Sequence, residues 1–264
     1  MSPGRVGLLL AVAMTFAGSA SAEPVLLKSA GSLKPAFTRL IAAFEAQSGA
    51  KVDPEFGASG LMKDKILSGD PTDIFTSANL EHPKAVAAAK GGDAKPFTHN
   101  TLCALAQPEL AVTSDSLLDT LLDPKIGVAT STPKSDPAGD YAFALFDKAD
   151  ALKAGSTATL KAKALQLTGG PNSVKPPEGR SSYGFIMGEK QADIFLTYCT
   201  NAVVAAKEVP SLQTIAIPAS LEVGAVYGMI VLSTNPDAQK LADFILSPAG
   251  QSVLKDFGFS APSK

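Results

Sequence analysis

The sequence contains no tryptophan, only two cysteines and two histidines, and aromatic residues at 6% of its length. So few aromatic side chains argue against a carbohydrate site built from stacked rings. The cysteines and histidines, which are Cys103, Cys199, His82 and His99, are too few and too scattered for a zinc site. No block of basic residues occurs, and 23 lysines and arginines face 25 aspartates and glutamates, so we do not expect nucleic acid as a partner.

A long apolar run occurs only near the N-terminus. Arg5 precedes an apolar stretch, residues 6–17, which is followed by Ser-Ala-Ser-Ala at residues 19–22. This pattern predicts a secretory signal peptide cleaved after Ala22, so we expect an exported protein. A membrane anchor is the weaker alternative, because a span needs about 20 apolar residues. Removing 22 residues from 264 leaves 242, with a net charge of −3 because Arg5 is lost, and this length suits one large domain or two smaller ones.

Strand-like and helical segments alternate along the rest of the chain. Apolar residues at helical spacing indicate helices, and short β-rich runs bounded by turn residues indicate strands. This alternation predicts an α/β fold in which parallel strands are flanked by helices. The predicted strands are 25–27, 51–56, 73–76, 102–106, 125–129, 194–198, 214–217 and 225–232, and the predicted helices are 33–47, 60–67, 83–90, 138–152, 157–167, 182–191, 236–246 and 248–257.

Two serines occupy matching positions in this pattern. Ser32 and Ser59 each follow a predicted strand and small residues, and each opens a predicted helix. In a parallel sheet both would lie at the carboxyl edge, where open α/β folds bind ligands. A helix start offers unpaired N–H groups and partial positive charge, so two such starts with hydroxyls predict an anion site. The alternative is that both serines are only N-caps.

A serine hydrolase is a second alternative for Ser59. In the stretch Gly-Ala-Ser-Gly, Gly60 directly follows the serine, whereas a nucleophile elbow has one more residue before its second glycine. A catalytic triad would also need an aspartate and then a histidine after Ser59. Asp73 followed by His82 or His99 meets this requirement of chain order and no other. The Gly-Lys-Ser/Thr ending of a phosphate-binding Walker loop is absent. We therefore expect a protein that is not an enzyme.

Four segments carry a resemblance to a known family. They are "SAGSLKPAFTRLIAAFEAQSG", "FGASGLMKDKILSGDPTDIFTSAN", "DPAGDYAFALF" and "LADFILSPAGQSVLKDFGF". Their order and spacing resemble the periplasmic molybdate-binding proteins of ABC importers across essentially the whole mature chain. The resemblance implies a monomer that closes on a tetrahedral oxyanion, molybdate or tungstate, and delivers it to an ABC permease.

The resemblance also implies a two-lobed class II periplasmic binding protein fold. Each lobe would hold a mixed, mainly parallel sheet flanked by helices, and two crossover strands would join the lobes. After the signal peptide, residues 23–102 and 226–264 would form lobe one, and residues 103–225 would form lobe two. Closure would occur about a hinge near 102–106 and 225–232.

Individual ligand-binding residues follow from the same resemblance. The hydroxyls of Ser32 and Ser59, the backbone N–H of Ala138 and the pocket tyrosine at Tyr198 would contact the oxyanion. Metal would enter only as molybdate or tungstate, held through Ser32, Ser59 and Tyr198, and no other cofactor is expected. A further backbone donor falls near Arg180, where the molybdate pattern has an apolar residue.

Arg180 leaves the identity of the anion open. A molybdate site uses neutral donors and offers no acceptor, so it disfavours protonated oxyanions such as phosphate. An arginine facing the pocket would add charge and a bidentate fork. Sulfate, phosphate or a small organic acid is then the alternative ligand, and a surface arginine is the plain alternative for Arg180.

The two cysteines gain a specific expectation from the two-lobe arrangement. From composition, a disulfide in an exported chain is allowed but not required. The resemblance places both Cys103 and Cys199 in lobe two, which favours a structural disulfide between them.

Overall fold

Two five-stranded sheets form the framework of the protein. The structure, a computed structural model, describes residues 23–262, so the predicted signal peptide lies outside the described residues. The strands are β1 Val25–Ala30, β2 Val52–Gly57, β3 Ile74–Ser77, β4 Lys95–Asn100, β5 Leu102–Ala106, β6 Val128–Ser131, β7 Leu165–Thr168, β8 Ile194–Tyr198, β9 Gln213–Ala216 and β10 Ala225–Val231.

The two sheets have equivalent topologies. The first has the order β2-β1-β3-β10-β4, and the second has the order β7-β6-β8-β5-β9. In the first sheet β1 is parallel to β2 and β3, while β10 is antiparallel to β3 and β4. In the second, β6 is parallel to β7 and β8, while β5 is antiparallel to β8 and β9. Each sheet is therefore mixed, with one strand opposed to the other four, and the predicted two-lobed α/β fold is confirmed.

Helices cover both sheets and bury the apolar faces expected from their sequences. Helix α1, Lys34–Ser48, has a proline in its first turn and is capped at its end by Gly49, which adopts a left-handed conformation that glycine favours. Its buried face includes Phe37 and Phe44, whose rings contact Phe97 and Phe244. The helices are α1 Lys34–Ser48, α2 Ser59–Leu67, α3 Glu81–Lys90, α4 Leu117–Leu122, α5 Pro137–Asp150, α6 Ser156–Lys163, α7 Ser182–Gly188, α8 Cys199–Glu208, α9 Pro236–Leu246 and α10 Pro248–Asp256.

The sequence pattern missed β4, β7, α4 and α8. The predicted helix 157–167 was wrong at its end, because α6 stops at Lys163 and the chain turns extended to form β7 beside β6. The predicted strand 125–129 begins only at Val128. The structure of the strand segments among these depends on pairing with distant strands rather than on local periodicity.

The chain crosses between the sheets at Thr101 and at residues 217–224. Both crossings lie directly before the segments predicted near the hinge: Leu102–Ala106 is the first strand of the second sheet after one crossing, and Ala225–Val231 returns to the first sheet after the other. Each follows a crossing rather than spanning it.

A disulfide joins the start of α8 to β5. Cys103 and Cys199 are bonded, with a Cα–Cα distance of 4.8 Å. Cys103 pairs across the sheet with Thr197, two residues before Cys199, so strand pairing brings the two cysteines together. Among the described helices, none is long and apolar enough to cross a membrane.

Candidate functional site

A cleft of about 680 Å³ lies between the two lobes. It is lined by residues that follow the carboxyl ends of the parallel strands in both sheets, as the strand order requires. The first lobe contributes Ala30, Gly31, Ser32, Lys34, Pro35, Thr38, Phe56, Gly57, Ala58, Ser59 and Ala78, and the second contributes Asp136, Thr168, Gly169, Pro176, Gly179, Arg180, Ser181, Ser182, Tyr183, Tyr198, Asn201 and Val204. The structure thus brings Ser32, Ser59, Arg180 and Tyr198 into one cleft.

Ser32 lies in a short 3-10 turn, Gly31–Leu33, between β1 and α1. Ala30 occupies the N-cap position, and no side chain caps the turn. The Ser32 hydroxyl instead lies 2.8 Å from the hydroxyl of Tyr227, a fully buried residue of β10. The simple N-cap alternative therefore does not describe Ser32.

Ser59 is the first residue of α2, and Ala58 occupies its N-cap position. Its side chain is 1% exposed, and its Oγ accepts a hydrogen bond of 3.1 Å from the backbone N–H of Ala78. Because a backbone N–H can only donate, the hydroxyl hydrogen of Ser59 remains to be donated to another group. A neutral hydroxyl donor is what an oxyanion needs.

Ala138 does not offer its N–H to the cleft. It is fully buried, and its N–H donates at 3.1 Å to the carboxylate of Asp136, which caps α5. The expected backbone donor is therefore already used, because the sequence supplies its own carboxylate at that helix end. Asp-Pro before a helix is a recognisable N-cap signal, so this contact was accessible to sequence reasoning.

Asp136 also changes the electrostatics of the cleft. Burial raises the pKa of Asp136 to about 6. The hydrogen bonds from Ala138 and Ser131 favour the carboxylate and act in the opposite direction, but burial is the larger effect. Hydroxyls surround the same region, since Ser131 Oγ lies 2.8 Å from Thr168 Oγ1 and 3.3 Å from Tyr183 Oη. The second lobe thus presents an acceptor and several hydroxyls to a ligand.

Arg180 lines the cleft, but its charge is paired. Its Nε donates to Glu208 at 2.5 Å, and its guanidinium lies 5.3 Å from the centre of the Phe185 ring. The second carboxylate oxygen of Glu208 accepts the N–H of Ser181 at 2.8 Å. The backbone N–H of Arg180 donates to the carbonyl of Pro177, so the expected backbone donor at this position is occupied as well.

Two contacts close the lobes on each other at the cleft. The Tyr198 hydroxyl, 1% exposed, donates to the Ala78 carbonyl over 3.4 Å. The N–H of Gly60 donates to the carbonyl of Ser135 at 2.8 Å. Burial also raises the pKa of Tyr198 well above its usual value, so this hydroxyl stays protonated. Tyr198 lies in the cleft as the resemblance implied, but its hydrogen is directed to the other lobe.

Histidine is missing from the described lining of the cleft. His82 lies on α3, where burial lowers its pKa to about 4, and His99 pairs its ring with the Ala261 carbonyl. Ser59 therefore has no histidine base beside it in the cleft lining.

The chain is similar to known proteins in sequence and in fold. Residues 25–260 match the family model described as bacterial extracellular solute-binding protein. The chain is 33% identical over 234 residues to the uncharacterized protein PM1146 of Pasteurella multocida, covering 88% of this chain and 96% of that one. It is 25% identical over 279 residues to the molybdate-binding protein ModA of Mycobacterium tuberculosis, covering 99% of this chain and 98% of the relative.

Solved structures share the fold at low identity. The periplasmic molybdate-binding protein of Azotobacter vinelandii superposes with a TM-score of 0.71 at 18% identity, over 90% of this chain and 100% of that one. The sulfate-binding protein SubI of Mycobacterium tuberculosis superposes with a TM-score of 0.73 at 18% identity, over 89% of this chain and 86% of that one. These likenesses confirm the two-lobed class II fold.

Proposed function

Because this chain belongs to the bacterial extracellular solute-binding protein family, we propose that it captures a tetrahedral oxyanion in the cleft between its lobes. From this family membership we infer a role in periplasmic solute binding for ABC-type import rather than in catalysis. Molybdate and tungstate are the first candidates, which the relatives named as molybdate-binding proteins support.

The observation that carries this proposal is the pair of serines in the first lobe. Ser32 and Ser59 follow adjacent parallel strands and line one cleft. The Oγ of Ser59 is occupied as an acceptor, which leaves its hydrogen for a ligand. The start of α2 adds partial positive charge at the same place. Neutral donors of this kind suit a fully ionised oxyanion.

Titration calorimetry tests the proposal. Molybdate, tungstate, sulfate, phosphate and small carboxylates would be titrated separately into the mature protein. We expect molybdate or tungstate to bind most tightly. Ser32→Ala and Ser59→Ala should each weaken that binding by about 1–3 kcal/mol, the cost of removing a donor to a charged group. If neither molybdate nor tungstate bound, the ligand assignment would be wrong; unchanged affinity in both variants would refute the site.

A second candidate ligand is a protonated oxyanion or a small organic anion. The Asp136 carboxylate in the cleft favours it, because a carboxylate can accept a hydrogen bond from a protonated ligand and repels a dianion. The cleft volume of about 680 Å³ also leaves room beyond a bare oxyanion. Tighter binding of phosphate or a carboxylate than of molybdate in the same titrations would select this candidate.

The expected partner, an ABC permease, follows from the family, and the expected monomer is part of the same proposal. We expect a monomer that delivers its ligand to the membrane subunits of an ABC permease. Light scattering checks the monomer, and ligand-dependent stimulation of the reconstituted permease checks delivery. An ester-hydrolysis activity that disappears in Ser59→Ala would instead support the exported hydrolase.

A further inference from the structure

We infer that Tyr227 and Asn100 are positioning residues that turn the hydroxyl hydrogen of Ser32 toward the bound anion. This inference rests on the proposed oxyanion site and adds how one of its donors is oriented. Tyr227 lies in β10 and is fully buried, and Asn100 ends β4 and is 3% exposed. Neither residue is among those that line the described cleft, so they act through Ser32.

The orientation begins at the Asn100 amide. The backbone N–H of Thr101 donates to Asn100 Oδ1 at 2.9 Å. Because a backbone N–H can only donate, this contact fixes which end of the amide is oxygen. The other end, Nδ2, then donates one hydrogen to Thr200 Oγ1 at 2.9 Å and the other to Tyr227 Oη at 3.2 Å.

The Asn100 amide in turn sets the orientation of the Tyr227 hydroxyl. Its oxygen accepts from Asn100, so its own hydrogen needs an acceptor, and Ser32 Oγ lies 2.8 Å away. Burial keeps this hydroxyl protonated by raising its pKa far above the usual range. Leaving a buried O–H unpaired is costly, so Tyr227 donates to Ser32. The Ser32 oxygen thus accepts inside the protein, and its hydrogen is left for the cleft.

The two serines consequently reach the same state by different routes. Ser59 accepts from the backbone N–H of Ala78, and Ser32 accepts from Tyr227, so both present hydrogens rather than lone pairs. For Ser32 the arrangement depends on a chain of side chains that connects three elements: β4, β10 and the start of α8, through Thr200. A hydroxyl held in this way presents a donor to an anion without a reorientation cost.

Tyr227→Phe tests this role. It deletes the hydroxyl and retains the ring, which contacts the rings of Phe97, Tyr198 and Phe259. The probes are sodium molybdate, sodium tungstate and sodium phosphate, measured by titration calorimetry. We expect binding of the anion that the wild type takes up to weaken about 2- to 10-fold.

A double-mutant cycle separates positioning from packing. In a Ser32→Ala background, Tyr227→Phe should leave the affinity unchanged, because the donor it orients is gone. Thr157→Val is the control: it deletes a part-buried hydroxyl that donates to the Phe146 carbonyl in the second lobe, outside the described lining of the cleft, and should not change the affinity. Thermal unfolding of each variant checks that it is folded.

Three outcomes would overturn the inference. Wild-type affinity in Tyr227→Phe would show that the hydroxyl does not orient the donor. An equal loss in the Ser32→Ala background would show a packing role instead. Failure of the wild type to bind any of the three anions would remove the ligands on which the inference rests, and this outcome is distinguished by the wild-type titration alone.

Discussion

Replacing Gly60 by alanine tests whether the lobes close through the contact between α2 and the loop before α5. The N–H of Gly60 donates to the Ser135 carbonyl at 2.8 Å across the cleft. A Cβ at Gly60 would lie 2.2 Å from the Lys134 carbonyl oxygen and 2.7 Å from that of Ser135. These are backbone atoms that cannot rotate away, so the lobes must separate to accommodate the methyl group.

The size of the effect follows from what separation breaks. Losing one hydrogen bond costs about 0.5–1.5 kcal/mol, which corresponds to roughly 2- to 13-fold in affinity if the anion binds the closed state. Within α2 itself, alanine has a higher helix propensity than glycine. Gly60→Ala should therefore weaken anion binding in calorimetry, while the free protein unfolds at an unchanged or higher temperature.

Gly188→Ala is the control for this experiment. It adds the same methyl group at the end of α7, outside the described lining of the cleft, where the nearest atom, Val209 Cγ2, lies 3.4 Å away at ordinary contact distance. It should leave the affinity unchanged. Wild-type affinity in Gly60→Ala would refute the closure contact. A fall in both affinity and unfolding temperature would show damage to the fold and would equally contradict the reasoning.

Two further predictions concern the second lobe. Burial raises the pKa of Asp136 to about 6, so the carboxyl is neutral below that pH and charged above it. Molybdate affinity should therefore fall as the pH rises through about 6, and Asp136→Asn, which keeps a capping oxygen, should remove this dependence in calorimetry. Glu208→Gln removes the negative charge that pairs with Arg180 beside the cleft and should strengthen anion binding. Arg180→Gln in the same background should cancel this gain. Equal affinity with and without the Glu208 charge would contradict the argument that Glu208 neutralises Arg180.

Strong local periodicity accounts for the elements that the sequence predicted well. Strands 102–106 and 194–198 and helix 236–246 have the predicted bounds in the structure. The two strands are buried along their whole length, and the helix has an Asn-Pro start with a clear apolar face. These signals are contained within each segment, so no distant partner is needed to recognise them.

The missed elements lack such signals. Strand β4 reads Lys-Pro-Phe-Thr-His-Asn and lies at an edge of its sheet, paired within that sheet with β10 alone. A proline and mixed polar residues are tolerated at an edge, so the segment shows no alternation that predicts a strand. Strand β7 has only four residues and is also an edge strand.

The position of the cleft was predictable, but the hydrogen bonds within it were not. The placement of Ser32 and Ser59 follows from strand order, because the carboxyl ends of parallel strands share one edge of the sheet. The partner of Ser32 lies 195 residues away in the sequence, and Glu208 lies 28 residues from Arg180. Contacts of this kind exist only after the sheets have assembled.

The division of chemistry between the lobes indicates where selectivity arises. The first lobe supplies the hydroxyl donors of Ser32 and Ser59 and the exposed ammonium group of Lys34, all of which any oxyanion can use. The second lobe supplies the groups that distinguish one oxyanion from another by charge and protonation: the Asp136 carboxylate and the paired Arg180 and Glu208. Substitutions in the first lobe should therefore weaken all oxyanions together, whereas substitutions in the second should change their ranking. The same anion titrations distinguish the two, because a ranking is a ratio of affinities and a common loss cancels from it.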